Sequence, residues 1–253
     1  MKIYAVLVIY NQHLSDCPSF YSASKESDVQ LLVVDNSTDE LFQNQEEARR
    51  AGAWFLSMDG NQGLAKAYNA AFDFLSGKNG DWVVLLDDDT EIPEEYWKEL
   101  QKAKPDSVQL PIVKTIRGQM ISPAEIRSDL PRPAKELNAI KEITGINSGM
   151  AIPKNLTDSY RYDERLFLDF IDHQFLKDMK NKGIKICILP VQLRQRFSAD
   201  QPEKSAALVR LQIQMHDLSV YYQYAPWKYW YLVIKRKIRL ALQLRSPEVL
   251  WYG

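Results

Sequence analysis

Three consecutive carboxylates, Asp87, Asp88 and Asp89, close an apolar run in the segment Val83 to Pro93, VVLLDDDTEIP. Adjacent carboxylates repel one another unless a cation or hydrogen-bond donors offset their charge. Hard oxygen ligands of this kind suit Mg²⁺ or Mn²⁺, commonly shared with the phosphates of a substrate. An apolar run of this length fits a strand buried on both faces, and ligands of open α/β sheets gather beyond the carboxyl ends of strands. The same residues also fit a solvated acidic turn that caps a helix starting between Thr90 and Glu95.

Other residues able to do chemistry fall at similar places. Ile3 to Tyr10 reads as a strand, and Tyr10 with Asn11 at its end offers a flat ring and an amide suited to a nucleobase; a turn beside a core-edge tyrosine is the alternative. Asp35 ends a second apolar run, Gln30 to Val34, where Asn36 and Ser37 also make it a turn starter. In GNQGLAKAYN, Gly60 and Gly63 free the backbone for a turn that opens a helix, and a helix start favours phosphate, with Lys66 in its first turn. A plain glycine-led cap explains the same glycines, and Asn69 reads as a brace for the loop. Asp169 and Asp172 stand three apart, which on a helical turn lets both face one cleft or lets both complement the helix dipole.

The elements that must position these residues alternate. Strand-like runs at Ile3 to Tyr10, Gln30 to Val34, Ala53 to Met58 and Trp82 to Leu86 are separated by helix-compatible segments. Leu64 to Leu75 carries apolar residues at helical spacing, and Glu94 to Lys104 is flanked by Pro93 and Pro105. Alternation of this kind predicts an α/β fold with a parallel sheet. Beyond Pro105 the pattern loosens: Val108 to Val113 predicts a strand, Thr115 to Pro133 is turn-rich, Phe170 to Lys182 predicts a helix stopped by Gly183, and Ile184 to Leu189 a strand. Two long helical stretches follow Glu203.

Composition bounds the class. The chain has 253 residues, 45% hydrophobic and 26% charged, which suits one globular α/β domain and an extension. A net charge of −1 gives no bias towards nucleic acid. The two cysteines, Cys17 and Cys187, offer neither a disulfide framework nor metal spacing, so a reducing cytoplasm is the expected home. The short apolar start reads as a first strand and not a signal peptide, and no stretch reaches the roughly 18 apolar residues of a membrane span.

Taken in order, VLVIYN (6 to 11), VVDNSTDE (33 to 40), GNQGLAKAYNAAF (60 to 72), LLDDDTEIP (85 to 93), INSGMAIP (146 to 153) and YDERLFLDFIDHQF (162 to 175) closely resemble an inverting family 2 glycosyltransferase of GT-A fold. Within that family the likeness is to rhamnosyltransferase-type enzymes of bacterial surface-polysaccharide synthesis. The resemblance covers roughly residues 3 to 198 and implies a mostly parallel sheet flanked by helices. It implies a glycosyltransferase domain over 1–200, with a nucleotide-sugar half to residue 105 and an acceptor half beyond, followed by a helical extension over 201–253. It further implies that Tyr10, Asn11, Asp35, Asn61, Gly63, Lys66, Asp87 and Asp88 contact a dTDP- or UDP-linked donor, Asp35 through the base imide. Asp87 and Asp89 would hold Mn²⁺ or Mg²⁺, and Asp172, with Asp169 as second choice, would be the catalytic base. Asn147, Ser148 and Gly149 would wall the acceptor side, a plain β-turn being the equal alternative, and His173 would stand at the acceptor or behind it.

Departures from the family pattern are also visible. Asp88 stands where many relatives carry proline and Gln174 where they often carry an acid. A metal-binding histidine is expected near Gln195 or Arg196 and is missing, which leaves aspartate, phosphate and water as ligands, or Arg194 and Arg196 as charge for the diphosphate. That loss supports a second class of protein, a non-catalytic nucleotide-sugar-binding or scaffold subunit. A nucleotidyltransferase would show a glycine-rich basic loop near the first strand, and VLVIYNQHLSD has none. The tail from Tyr221 to Tyr252 interleaves aromatics with Lys and Arg. It fits either an anionic membrane surface near a lipid-linked acceptor, or a helical hairpin packed on the domain or on a partner subunit, as in a homodimer.

Overall fold

A computed structural model of the chain describes residues 1–39, 41–134, 136–196 and 204–252. The first half alternates as its sequence predicts: β1 (Ile3–Ile9), α1 (Pro18–Ser24), β2 (Val29–Asp35), α2 (Asn44–Arg50), β3 (Trp54–Ser57), α3 (Leu64–Leu75) and β4 (Trp82–Leu86). The second half comprises β5 (Thr90–Glu91), α4 (Glu94–Lys102), β6 (Ser107–Thr115), β7 (Met120–Ser122), β8 (Ala124–Arg127), β9 (Leu130–Pro133), β10 (Ile143–Thr144), β11 (Ala151–Pro153), α5 (Lys154–Ser159), α6 (Ile171–Asn181) and β12 (Lys185–Gln195). Helices α7 (Lys204–Tyr221) and α8 (Pro226–Leu244) complete the chain.

The main sheet runs β3-β2-β1-β4-β11-β6-β12-β5, with β7 on β6. Strands β3, β2, β1 and β4 pair parallel to one another in that order, and β6 pairs parallel to β12. The short β11 enters antiparallel between β4 and β6, which the alternating pattern alone does not predict. Alternation along β1 divides the core. Ile3, Ala5 and Leu7 face the side covered by Phe20 of α1 and Trp97 of α4. Tyr4 and Val6 face Tyr68 and Phe72 of α3 and Phe175 of α6. Apolar side chains on both faces are why these strands read as continuous hydrophobic runs.

The segment Thr115 to Pro133, turn-rich in sequence, forms β7, β8 and β9, and β8 joins β10 and β9 in a second sheet of order β10-β8-β9. Strands of three or four residues with Pro131 and Pro133 in the edge strand β9 leave no period to read. The expected domain boundary at residue 200 lies outside the described residues. Helix α7 carries the partly buried Val220 and Tyr221 against the core of the main sheet, while Leu218 and Tyr222 pack on Val233 of α8. Among the described residues no helix is long and apolar enough to cross a membrane.

Candidate active site

The three aspartates emerge directly from the end of β4, beside β1 at the centre of the parallel strands. The antiparallel pairing of β12 with β5 sets Gln195 opposite Thr90 and brings its side chain onto the cluster. Gln195 Nε2 donates to Asp89 Oδ1 at 3.0 Å and to Asp87 Oδ2 at 3.3 Å. Ser148 Oγ donates to Asp87 Oδ2, and Thr90 Oγ1 donates to Asp89 Oδ1 at 3.3 Å. Ser19 of α1 holds the Asp87 carbonyl at 2.7 Å, fixing where the cluster leaves the strand.

Burial, opposed by the Ser148 hydrogen bond and reinforced by the neighbouring carboxylates, pushes the Asp87 carboxyl up to about 7. Burial and the Asp89 charge push Asp88 up to about 6, and burial raises Asp89 against its bonds to Gln195 and Thr90. The cluster thus concentrates more negative charge than its donors offset. Those carboxylate oxygens fit a hard divalent cation, and the Gln195 amide, whose Oε1 is buried with no hydrogen-bond partner, turns its nitrogen to them. Among the described residues no three His, Cys, Asp or Glu side chains close around an ion by themselves.

The turn Asn147 to Gly149 does not form an open acceptor wall. Ser148 is fully buried and bonds Asp87, while Gly149 takes a φ of 73° and gives its carbonyl to Tyr96 Oη at 2.7 Å. Asn147 is also buried, with Oδ1 unpartnered. The expectation of acceptor contact is corrected at Ser148 and Gly149: the two residues brace the aspartates from beneath.

Around the end of β1, the ring of Tyr10 is 49% exposed and free to meet a planar ligand. Asn11 has a φ of 47°, and its Oδ1 accepts from the Thr38 and Asp39 amides at 2.9 and 3.3 Å, so its side chain is engaged in shaping the loop after β2. Asp35 ends β2 with one oxygen on the Ser37 amide at 2.9 Å. Asn61 accepts from Gly63 N at 3.1 Å and from Asn36 Nδ2 at 3.1 Å, tying the loop before α3 to the end of β2. Asn36, read in sequence only as part of a turn, is thus part of the frame. Lys66 is exposed on the first turn of α3.

The start of α3 is not open to phosphate. Leu64 N–H donates to the Phe167 carbonyl at 2.6 Å, and a Cβ on Gly63, whose φ is 85°, would lie 2.7 Å from the Phe167 ring. Gly63 therefore admits the loop that leads into α6, which corrects the expected phosphate contact there. Asn69 braces the same region as expected, accepting from Tyr162 N at 2.8 Å and donating to Tyr162 O at 3.0 Å.

Asp172 stands in the first turn of α6, after Phe170 in the left-handed conformation. Its side chain is 17% exposed, and burial pushes its carboxyl up against the lowering effect of the His173 charge and amide. The Asp172 charge adds to the upward push on Asp87, and both raise the buried Tyr68 hydroxyl. His173 Nδ1 shares a 2.8 Å hydrogen bond with Thr144 Oγ1. Asp169 is not available as an alternative base: Arg210 holds its two oxygens at 2.6 and 2.7 Å. The fully buried Asp217 of α7 accepts from the amides of Phe167, Leu168 and Asp169 at 2.7 to 2.8 Å. Neither Arg210 nor Asp217 stood out in sequence; the available signal was an acid at a buried turn of an otherwise apolar helical stretch.

A curled, mostly parallel sheet of this order, flanked by helices, is of the GT-A fold. The chain belongs to glycosyl transferase family 2, whose profile matches residues 10–155, more than half of it. It is 24% identical over 255 residues to the dTDP-rhamnosyl transferase RfbF of Shigella flexneri, covering 97% of this chain and 84% of that one. Among solved structures it resembles S. aureus TarS, with a TM-score of 0.58 and 18% identity over 87% of this chain. It spans 44% of that TarS chain. It also resembles glucosyl-3-phosphoglycerate synthase from Mycobacterium tuberculosis, solved with Mn²⁺, uridine diphosphate and phosphoglyceric acid, with a TM-score of 0.57, 19% identity and coverage of 86% of this chain and 78% of that one.

Proposed function

We propose that this glycosyltransferase moves a sugar, rhamnose in the first instance, from a dTDP- or UDP-linked donor to a glycan or lipid-linked acceptor of a bacterial surface polysaccharide, with inversion. The observation that carries the reading is the buried aspartate cluster at the end of β4, organised by Ser148, Thr90 and Gln195, in a chain of glycosyl transferase family 2 with the partly buried Asp172 at the start of α6. The dTDP-rhamnosyl transferase relative supports the choice of sugar.

In this reading Tyr10 stacks on the base and Asp35 accepts the imide N–H of thymine or uracil. Asp88 and Lys66 face the donor's sugar and diphosphate. Asp87 and Asp89 would hold Mn²⁺ or Mg²⁺, which would supply charge neutralisation at the leaving diphosphate. Asp172 takes the proton from the acceptor hydroxyl as that oxygen bonds to the anomeric carbon and the carbon–phosphate oxygen bond breaks. Single displacement from the opposite face inverts the anomeric centre. This reading puts the acceptor at a cavity of about 290 Å³ lined by Thr144, His173, Lys177, Tyr221 and Tyr222.

The acceptor reading extends to α8. Its exposed face carries Trp227, Trp230, Tyr231, Ile234, Ile238 and Leu242, flanked by Lys228, Lys235, Lys237 and Arg239, and no acid occurs from 226 to 247. That chemistry complements an anionic membrane surface. Flotation with vesicles of phosphatidylglycerol and phosphatidylcholine should recover the protein, and W230E with I234E should abolish recovery. Equal behaviour with neutral vesicles, or a concentration-dependent dimer broken by the same changes, would remove the membrane reading.

The first test of the donor is calorimetric titration with UDP, dTDP and GDP, each with and without Mn²⁺. Binding of UDP or dTDP strengthened by the cation, followed by product formation from dTDP-rhamnose, is the expected result. No binding of any nucleotide would favour the scaffold reading.

A further inference from the structure

A second cavity, of about 150 Å³, lies where β9, the residue before α6, α7 and α8 meet. Arg132, Lys235 and Arg236 line it together with Phe170, Tyr222 and Tyr231, and among the described residues no Asp or Glu does. Arg236 is half-buried, and among the described residues its guanidinium has no hydrogen bond or salt bridge. Burial presses its pKa below the ordinary guanidinium value; Asp169 opposes that push, and the charges of Arg210 and Arg239 add to it. Both oxygens of Asp169 are already held by Arg210. A cation withdrawn from water gives up hydration that a paired anion ordinarily replaces, and here the neighbours are further cations.

We propose that this cavity is a binding site for a phosphate ester, with Arg236 as its principal ligand and Arg132 and Lys235 adding charge. A guanidinium presents its donors as a planar fork that matches two oxygens of a phosphate. Three cations without an acid suit a group that carries more than one negative charge. Since a water molecule takes about 30 Å³ of liquid, the cavity has the volume of about five waters, enough for a phosphate and a short substituent and too little for a nucleotide. Tyr222 Oη donates to the Asp129 carbonyl at 3.0 Å, which leaves its ring, with Phe170 and Tyr231, as apolar wall for the carbon part of the ester. Tyr231 also belongs to the exposed apolar face of α8, so the ester can come from solution or from the headgroup of an anionic lipid lying against that helix. The lipid source rests on the membrane reading above, whereas the site itself does not. Phe170 directly precedes α6, so an occupant touches the segment that leads to Asp172.

The test is calorimetric titration of the whole chain with inorganic phosphate and with glycerol 3-phosphate, at constant ionic strength and without divalent cations. Saturable binding of one ligand per chain is expected. Arg236→Met, which keeps the bulk of the stem and removes the charge, should weaken it at least tenfold. Lys237→Met, which removes a cation of the same helix outside the cavity, should leave it within twofold. Should Arg236→Met fail to fold, the wild type alone decides: glycerol 3-phosphate should protect Arg236 from phenylglyoxal, read by mass spectrometry, and leave Arg50 unprotected. Flotation with phosphatidylglycerol vesicles then distinguishes the sources. Release of the wild type by glycerol 3-phosphate, with poorer recovery of Arg236→Met, assigns a lipid headgroup; equal flotation of the two proteins assigns a soluble ester. No saturable binding, equal losses in the two variants, or equal protection of Arg236 and Arg50 would overturn the site and leave only the general charge of α8. Failure of nucleotides to bind would bear on the donor reading and not on this one.

Discussion

The aspartate cluster and the base candidate are held by different means. Asp87 to Asp89 follow β4 directly, and their partners Ser148, Thr90 and Gln195 lie on neighbouring strands or turns of the same sheet. Asp172 sits beyond a loop whose shape comes from α7, where Asp217 gathers three consecutive amides and Arg210 clamps Asp169. The difference teaches that sheet topology alone builds the donor side, whereas the base side depends on a helix some forty to fifty positions downstream. Helix α7, part of an extension by sequence, holds the loop that leads to Asp172.

The comparison breaks most sharply at Asp172. Asp172→Asn removes the proton acceptor without changing shape, so transfer should fall by about 10²- to 10⁴-fold. Donor affinity measured by calorimetry should stay within about twofold. Retained turnover would remove Asp172 as base; lost donor binding would mean that the two sides are not separable.

Asp217→Ala addresses the support rather than the chemistry. It strips three amides of a buried charged acceptor, which costs about 3–5 kcal/mol of stability. At about 2–4 °C per kcal/mol, the melting temperature should drop by roughly 10 °C. The milder Arg210→Met should lower kcat about tenfold with the KM for donor unchanged, because it frees Asp169 and loosens the loop before Asp172. An equal loss in donor affinity would show that α7 supports both sides alike.

Gly63→Ala tests a place where the loop before α3 touches the loop leading to Asp172. The new Cβ meets Phe167 at 2.7 Å, and the φ of 85° is one that alanine adopts only under strain. A loss of about 1–3 kcal/mol is expected by thermal melting, together with weaker donor binding and slower transfer. Unchanged melting would mean that Phe167 yields easily and that the contact does not couple the sides.

The same contrast explains what was legible in the sequence. Strand β4 and its acids, Asp35 at the end of β2 and helix α3 could be read because an apolar run followed by polar residues marks a strand end directly. Asn11 and Asn61 were placed correctly at those ends, but their amides serve the loops, since a polar side chain at a strand end can face ligand or backbone equally. Ser148 and Gly149 were misread because the burial of their turn depends on β11 entering antiparallel, which no local pattern encodes. Gln195 stood out only as a residue in place of a histidine; its bridge between Asp87 and Asp89 required the pairing of β12 with β5. Asp217 and Arg210 were not read because their partners lie across the chain on an irregular loop.

The smallest expected effect is also the one that separates the two sides by charge. The carboxyls of Asp87 and Asp88 are raised to about 7 and about 6, far above the ordinary range near 4. Between about pH 4 and 7 the folded state therefore binds more protons than the unfolded state, and stability falls as pH rises through that window before levelling off. In cation-free buffer the melting temperature should be lower at pH 7.5 than at pH 5.5 by a few degrees, about 1–2 kcal/mol once water at the cluster is allowed for. Asp87→Asn should flatten most of that slope, whereas Asp172→Asn, removing a single raised carboxyl on the base side, should flatten less of it. Addition of Mg²⁺ with nucleotide should lift the curve mainly above pH 6, where the acids are ionised and their charge needs a partner. A slope untouched by Asp87→Asn would place the titrating groups elsewhere and deny the cluster its excess charge.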